Sequence, residues 1–379
     1  MNLLEGQVRI PSGCAIAAVI SRKGNKMSGE KITESMKPMH DRSNGLGGGF
    51  AGYGIYPEYA DFYALHMFFD ERATRKDCEV FLKERFEIVK SEIIPTRKMP
   101  QITDEPIIWR YFVTPLKSVL AAAQLDEKEF VARTVMKINT EKKGAYVFSS
   151  GKNMGTFKAV GFPEDVGVFY RLEEYMGYSW TAHGRYPTNT PGWWGGAHPF
   201  TLLDYSIVHN GEINTIRGNS DKMSAREENM ESPKLKKEFQ KVLPVINAEG
   251  SDSAMLDNAL EFLVMSGMEL PLAVMIMIPE PWANNSIMTQ KKKDFYQYYA
   301  TMMEPWDGPA SIIFSDGDMM GAVLDRNGLR PSRYYVTDDD YLILSSEVGV
   351  LEIDPTKIVK KDRLRPGKML LVDTVAGRI

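Results

Sequence analysis

Apolar residues run almost unbroken from Cys14 to Ile20, the pattern of a buried strand. Residues 28–39 then read as a helix leading into a Gly-rich stretch, 44–54, with 51–56 as a strand. From about 70 to 174 the texture changes. Residues 71–92 are charged and helical in pattern, Pro95, Pro100 and Pro106 break the pattern beyond them, and 126–139 reads as another helix. This stretch is expected to be a helical excursion on the core rather than an independent domain. In the second half, 206–209 is a short strand ending at Asn210-Gly211. Residues 251–265 place Met255, Leu256, Ala259, Leu260, Leu263 and Val264 on one helical face, with Ser251 placed to cap the helix and Gly267 to stop it. The pattern then turns to strands. Residues 310–315 and 318–324 flank Asp316-Gly317, a hairpin signature, and 333–337 and 341–345 continue in the same style. Strands and helices alternate without the regular rhythm of a doubly wound sheet, which predicts a layered sandwich with mainly antiparallel sheets. Residues 1–13 read as a short extension and 14–379 as the domain.

Composition narrows the function classes. A net charge of -4 and a pI near 5.9 argue against a nucleic-acid or membrane surface, which would concentrate Lys and Arg. The longest apolar runs, such as 272–278, are far too short to span a bilayer, and the first ten residues lack the apolar core of a signal peptide. The two cysteines, Cys14 and Cys78, cannot make a disulfide framework or hold an iron–sulfur cluster, so a cytoplasmic, reducing setting is expected. None of the five histidines, His40, His66, His183, His198 and His209, is spaced as a metal pair, and no metal is expected. Gly47-x-Gly49-x-x-Gly52 matches a dinucleotide fingerprint, but a helix precedes it and a strand comes after it, the reverse of what phosphate binding needs. Close backbone approach in a turn is the better reading of these glycines. Cys78, in its charged helical run, and the Met-rich 265–277 read as packing.

Three polar islands carry candidate chemistry. Cys14 heads an apolar strand, where a thiol is ordinarily inert packing. If the thirteen preceding residues are removed, Cys14 gains a free α-amine with a pKa of roughly 7.7–8.0, so one residue would supply both nucleophile and general base. The second island, Thr181-Ala-His-Gly-Arg185, continues into the turn-rich, Trp-rich stretch 186–199. Arg185 offers a planar fork for a carboxylate, or an ordinary ion pair. The third is His209-Asn210-Gly211-Glu212. Asn-Gly is commonly only a turn, yet an Asn amide beside a Gly N–H can also stabilise an oxyanion.

Together with 250–258, 278–282, 303–311, Asp325-Arg-Asn-Gly-Leu-Arg-Pro331, Ser346-Glu-Val-Gly349 and 365–373, these islands resemble the class II, N-terminal-nucleophile glutamine amidotransferases, and in particular the amidotransferase domain of glutamate synthase. The resemblance runs from Cys14 to the C-terminus and is weakest over 70–174. It implies an α+β fold, a four-layer αββα sandwich. It also implies roles: Cys14 attacks the γ-carboxamide of L-glutamine, Asn210 and the Gly211 N–H hold the oxyanion, Arg185 clamps the α-carboxylate and Asp252 receives the α-ammonium. Ala15 stands where the family usually has Gly. The sequence ends where glutamate synthase continues into its flavin and iron–sulfur region. The resemblance therefore implies no cofactor in this chain, FMN and an iron–sulfur cluster on a partner, and a separate flavin-dependent synthase subunit that takes the ammonia. Two alternatives stand beside it: a different acceptor, as in an N-methylglutamate synthase, or an unprocessed, non-catalytic regulatory subunit. Oligomeric state is not legible.

Overall fold

A computed structural model of the chain describes residues 13–187, 190–230 and 242–379. All of the expected N-terminal extension except Gly13 lies outside the described residues. The chain opens with β1 (Ala15–Ser21), the short β2 (Met27–Ser28) and α1 (Gly29–Met36), whose N-terminus is capped by the Ser28 hydroxyl accepting from the Glu30 N–H. Next come β3 (Gly48–Tyr53), β4 (Tyr63–Phe69), α2 (Arg72–Lys83), β5 (Phe86–Ile93), β6 (Ile107–Pro115), α3 (Lys117–Ala123), α4 (Glu127–Glu141), β7 (Ala145–Ser149), β8 (Met154–Ala159) and α5 (Pro163–Phe169). The second half holds β9 (Met176–Gly177), β10 (Ser179–Gly184), β11 (Phe200–Leu202), β12 (Tyr205–Gly211), α6 (Ile216–Glu227), α7 (Asp252–Met265), α8 (Leu270–Met277) and α9 (Gln290–Tyr299). It closes with β13 (Ala310–Ser315), β14 (Met319–Leu324), β15 (Arg333–Thr337), β16 (Tyr341–Ser345), β17 (Ile358–Arg363) and β18 (Met369–Asp373).

Two antiparallel sheets form the centre. One runs β17-β15-β16-β1-β10-β3-β8 and the other β11-β12-β13-β14-β18. The unbroken apolar run at 14–20 is explained by β1 being covered on both faces. Its Ile16, Ala18 and Ile20 pack against Val208, Ile313, Ala322 and Leu324 of the second sheet. Its Ala15, Ala17 and Val19 share a core with Ile32 and Met36 of α1 and with Val166 and Phe169 of α5. The far face of the second sheet, with Ile207, Ile312 and Phe314, packs on Leu256, Ala259 and Leu260 of α7 and on Ala273, Val274 and Met277 of α8. The layers are therefore helix, sheet, sheet, helix, and the fold is the expected α+β sandwich of αββα type.

The excursion differs from its helical reading. Residues 71–92 are not one helix. α2 ends at Lys83 and β5 comes next as the edge of a third, four-stranded antiparallel sheet, β5-β6-β4-β7. β5 carries charge because it is an edge: exposed Glu87, Val89, Ser91 and Ile93 alternate with half-buried Ile88, Lys90 and Glu92. A register shift between Ile88 and Lys90 blurs the period-two signal further. The helix expected at 126–139 is α4, capped by Asp126. Cys78 is buried in α2, and α8 buries much of the Met-rich stretch. The glycine motif lies at and within β3, where a Cβ at Gly49 would collide with the His198 carbonyl and one at Gly52 would sit 2.5 Å from the Trp180 ring. Close approach is what those glycines provide, in a strand rather than a turn.

Candidate active site

β1 and β10 pair antiparallel with Ala15 opposite Gly184, so Cys14 just before β1 and Arg185 just after β10 emerge side by side. The half-buried Cys14 Sγ accepts the Tyr186 N–H at 3.3 Å. Burial pushes the thiol pKa up, while the Tyr186 N–H and the Arg330 and Arg185 guanidinium groups pull it back in part. With Gly13 still attached, Cys14 is thus a protonated thiol without an adjacent amine. Arg330 reaches the same peptide: a Cβ at Gly13 would stand 2.8 Å from its Nη1.

Arg185 is held by its own backbone. Its N–H donates to the Gly47 carbonyl, and its carbonyl accepts from the Ser43 hydroxyl and the Asn44 N–H. Its buried guanidinium donates to Thr190 Oγ1 at 2.6 Å and to the Pro191 carbonyl at 3.2 Å, which uses two of the five N–H groups of the fork. Burial lowers its pKa, opposed by the neighbouring Cys14 and Asp252 side chains. The loop that carries Thr190 and the guanidinium are therefore coupled.

The second sheet supplies Asn210 and Gly211 at the end of β12. Asn210 is buried, and its Oδ1 has no partner among the described residues. The Glu212 N–H donates to the Pro309 carbonyl. By the alternation of an antiparallel ladder, the Gly211 N–H points to the opposite edge, away from β13. A Cβ at Gly211 would collide with the Pro309 carbonyl, so only glycine fits there. Asp252 opens α7 next to its cap Ser251, whose hydroxyl accepts the Ala254 N–H. Asp252 Oδ2 accepts the Ile213 N–H at 2.8 Å, which fastens the helix start to the chain just beyond β12. All five residues singled out in the sequence thus gather where adjoining ends of the two central sheets meet the start of α7.

Sequence reasoning missed other groups at this place. Arg330 lies inside the 325–331 motif, and His183 and His209 inside the second and third polar islands, but their partners come from distant segments. The His183 Nε2 donates to the His209 carbonyl at 2.9 Å, and the His183 and His198 rings meet at a tilt of 48° with centroids 4.0 Å apart. Burial holds His183 at about 3 and His209 at about 4, so both are neutral near pH 7. A cavity of about 440 Å³ elsewhere, beside the C-terminal half of α7 and lined by Leu202, Tyr205, Glu261 and Met265, contains none of these groups. Among the described residues no three His, Cys, Asp or Glu side chains converge as a metal site, and no helix is long and apolar enough to cross a membrane.

Comparison with known proteins identifies the family of the chain. Residues 53–379 match the family model for class II glutamine amidotransferases, a span that begins after Cys14. An uncharacterized protein of Archaeoglobus fulgidus is 38% identical over 90% of this chain and 87% of its own length. The Bacillus subtilis glutamate synthase [NADPH] large chain is 48% identical over 63% of this chain but only 16% of its own. For ferredoxin-dependent glutamate synthase 2 of Synechocystis sp. the figures are 37%, 82% and 20%. Among solved structures, the B. subtilis glutamine phosphoribosylpyrophosphate amidotransferase matches 95% of this chain and 47% of its own, at 13% identity and a TM-score of 0.44.

Proposed function

The chain belongs to the class II glutamine amidotransferases, and on that premise we propose that it hydrolyses L-glutamine to glutamate and ammonia through a thioester on Cys14. The observation that carries the reading is the convergence of Cys14, Arg185, Asn210, Gly211 and Asp252 from two sheets and one helix. Arg185 takes the α-carboxylate through the N–H groups that Thr190 and Pro191 leave over, and Asp252 takes the α-ammonium. The Cys14 sulfur adds to the γ-carbon of the amide. Its proton passes to the Cys14 α-amine and from there to the departing ammonia. Asn210 and the Gly211 N–H receive the charge that develops on the carbonyl oxygen. Water then cleaves the thioester, releasing glutamate and restoring the thiol.

That reaction requires the amine, so Cys14 acts only after residues 1–13 are removed. The ammonia goes to a flavin-dependent synthase component of glutamate-synthase type, and FMN and an iron–sulfur cluster belong to that component. The glutamate synthase relatives support this acceptor. The Archaeoglobus relative, matched over most of its own length, supports a separate subunit. The test is a glutaminase assay on the mature chain. Wild type should release equal amounts of glutamate and ammonia. Cys14→Ala should lose on the order of 10⁴-fold or more while folding normally. Residual activity near wild type in that variant removes Cys14 from the reaction.

A further inference from the structure

β12 outruns its neighbour. β11 pairs with it only from Tyr205 to Ile207, so among the described residues the outer edge of β12 from Val208 to Gly211 has no strand beside it. The same alternation that frees the Gly211 N–H puts the His209 carbonyl on that open edge. An open edge is the softest part of a sheet, yet oxyanion donors need positions fixed to roughly 0.5 Å. Something other than a strand must hold this edge.

Two imidazoles are placed to do so. His183, from β10 of the other sheet, donates Nε2–H to the His209 carbonyl at 2.9 Å. A carbonyl only accepts, so His183 carries its proton on Nε2. The buried His209 ring bonds through Nδ1 to the Ser253 hydroxyl at 2.7 Å, and Ser253 comes directly after Asp252 in the first turn of α7. Together with the Ile213 N–H on Asp252, this ties both β12 and the chain just beyond it to α7, one tie on each side of Asn210 and Gly211. The ring also lies over Gly211, since a Cβ there would stand 2.8 Å from His209 Nε2.

We propose that His209 is a positioning residue: anchored by Ser253 through its ring and by His183 through its carbonyl, it holds Asn210 and Gly211 in register with Cys14 and Asp252. This rests on the glutaminase reading above, because the geometry it protects is that of an oxyanion site. It acts through the donors and does not touch the substrate. Its loss should therefore be felt where charge develops on oxygen, and little in ground-state binding.

The test uses the mature enzyme, with wild type, His209→Leu, His209→Asn and Ser253→Ala assayed for glutamine hydrolysis and thermal unfolding. Leu removes the ring nitrogens. Asn returns a polar atom close to the Nδ1 position. His209→Leu should lower kcat by about 10- to 100-fold with KM changed less than about threefold. His209→Asn should recover most of that loss, and Ser253→Ala should lower kcat in the same direction. Should His209→Leu not fold, Ser253→Ala carries the test alone. Unchanged kcat in folded His209→Leu or in Ser253→Ala overturns the proposal, as does a rise in KM with kcat intact. An inactive wild type would instead overturn the glutaminase reading.

Discussion

Two buried polar clusters in this molecule look alike in composition and differ in completeness. Beside the third sheet, Arg110 donates to Glu92 at 2.9 Å and to the Tyr56 hydroxyl at 2.9 Å, and Tyr56 meets His66 Nε2 at 2.9 Å. His66 Nδ1 meets the Thr156 carbonyl at 2.8 Å. The donors can be ordered along this chain. The carbonyl fixes the His66 proton on Nδ1, so Tyr56 donates to Nε2 and accepts from Arg110. At the Cys14 site the hydrogen bonding does not close. His183 Nδ1, both nitrogens of His198, His209 Nε2, Asn210 Oδ1 and Arg330 Nε are buried with no partner among the described residues. Buried polar groups are nearly always paired. The closed cluster reads as scaffold, and on the proposed reaction the open one adjoins the place where glutamine binds.

This contrast can be tested at both ends. At the open site, Asn210→Ala should cut kcat by about 10²–10³, or roughly 2.7–4 kcal/mol in the barrier, with little change in KM. Its thermal midpoint should hold or rise, because no internal bond to Oδ1 is lost. A large loss of stability would place Asn210 with the scaffold. At the closed cluster the effects should reverse. Arg110→Met leaves Glu92 and Tyr56 without their cation and should cost about 3 kcal/mol in denaturant unfolding, with activity per folded molecule unchanged. Lost activity at unchanged stability would contradict the assignment.

Acid gives a third handle. Burial lowers His66 from 6.5 to about 3, with the Arg110 charge adding to the effect. The unfolded chain thus binds a proton below pH 6.5 that the folded chain refuses. Its stabilising contribution is full above pH 6.5 and falls as pH drops toward 3, by about 1.4 kcal/mol per pH unit. His66→Gln should flatten the acid limb of the stability curve by that slope, and an unaltered limb would mean His66 titrates normally. The smallest effect expected is at Ser251, the α7 cap. Ser251→Ala should cost about 1 kcal/mol in stability, and any change in glutamine KM should be modest and come through Asp252. A neutral result in unfolding would show that the cap contributes nothing.

Legibility in the sequence depends on how far each signal reaches. The α7 helix, its Ser251 cap and the 310–345 strands are legible because period, cap and turn residues are local. β5 is not, since an edge strand with a register shift shows charge in place of alternation. The five candidate site residues stand out because motif and family resemblance mark them. Arg330, the Tyr186 N–H and the His183–His209–Ser253 contacts do not, because each joins segments far apart in sequence. The coupling of Arg185 to Thr190 and Pro191 is equally invisible, since it depends on how a turn-rich loop folds back.

Cys14 is proposed to become a working nucleophile only when its own amine is free. The most direct measurement pairs the intact mass of the purified protein with its glutaminase rate. Activity is expected from a chain that starts at Cys14 and essentially none from one that retains residues 1–13. Full activity with residues 1–13 attached, or none from a folded chain starting at Cys14, would contradict the claim.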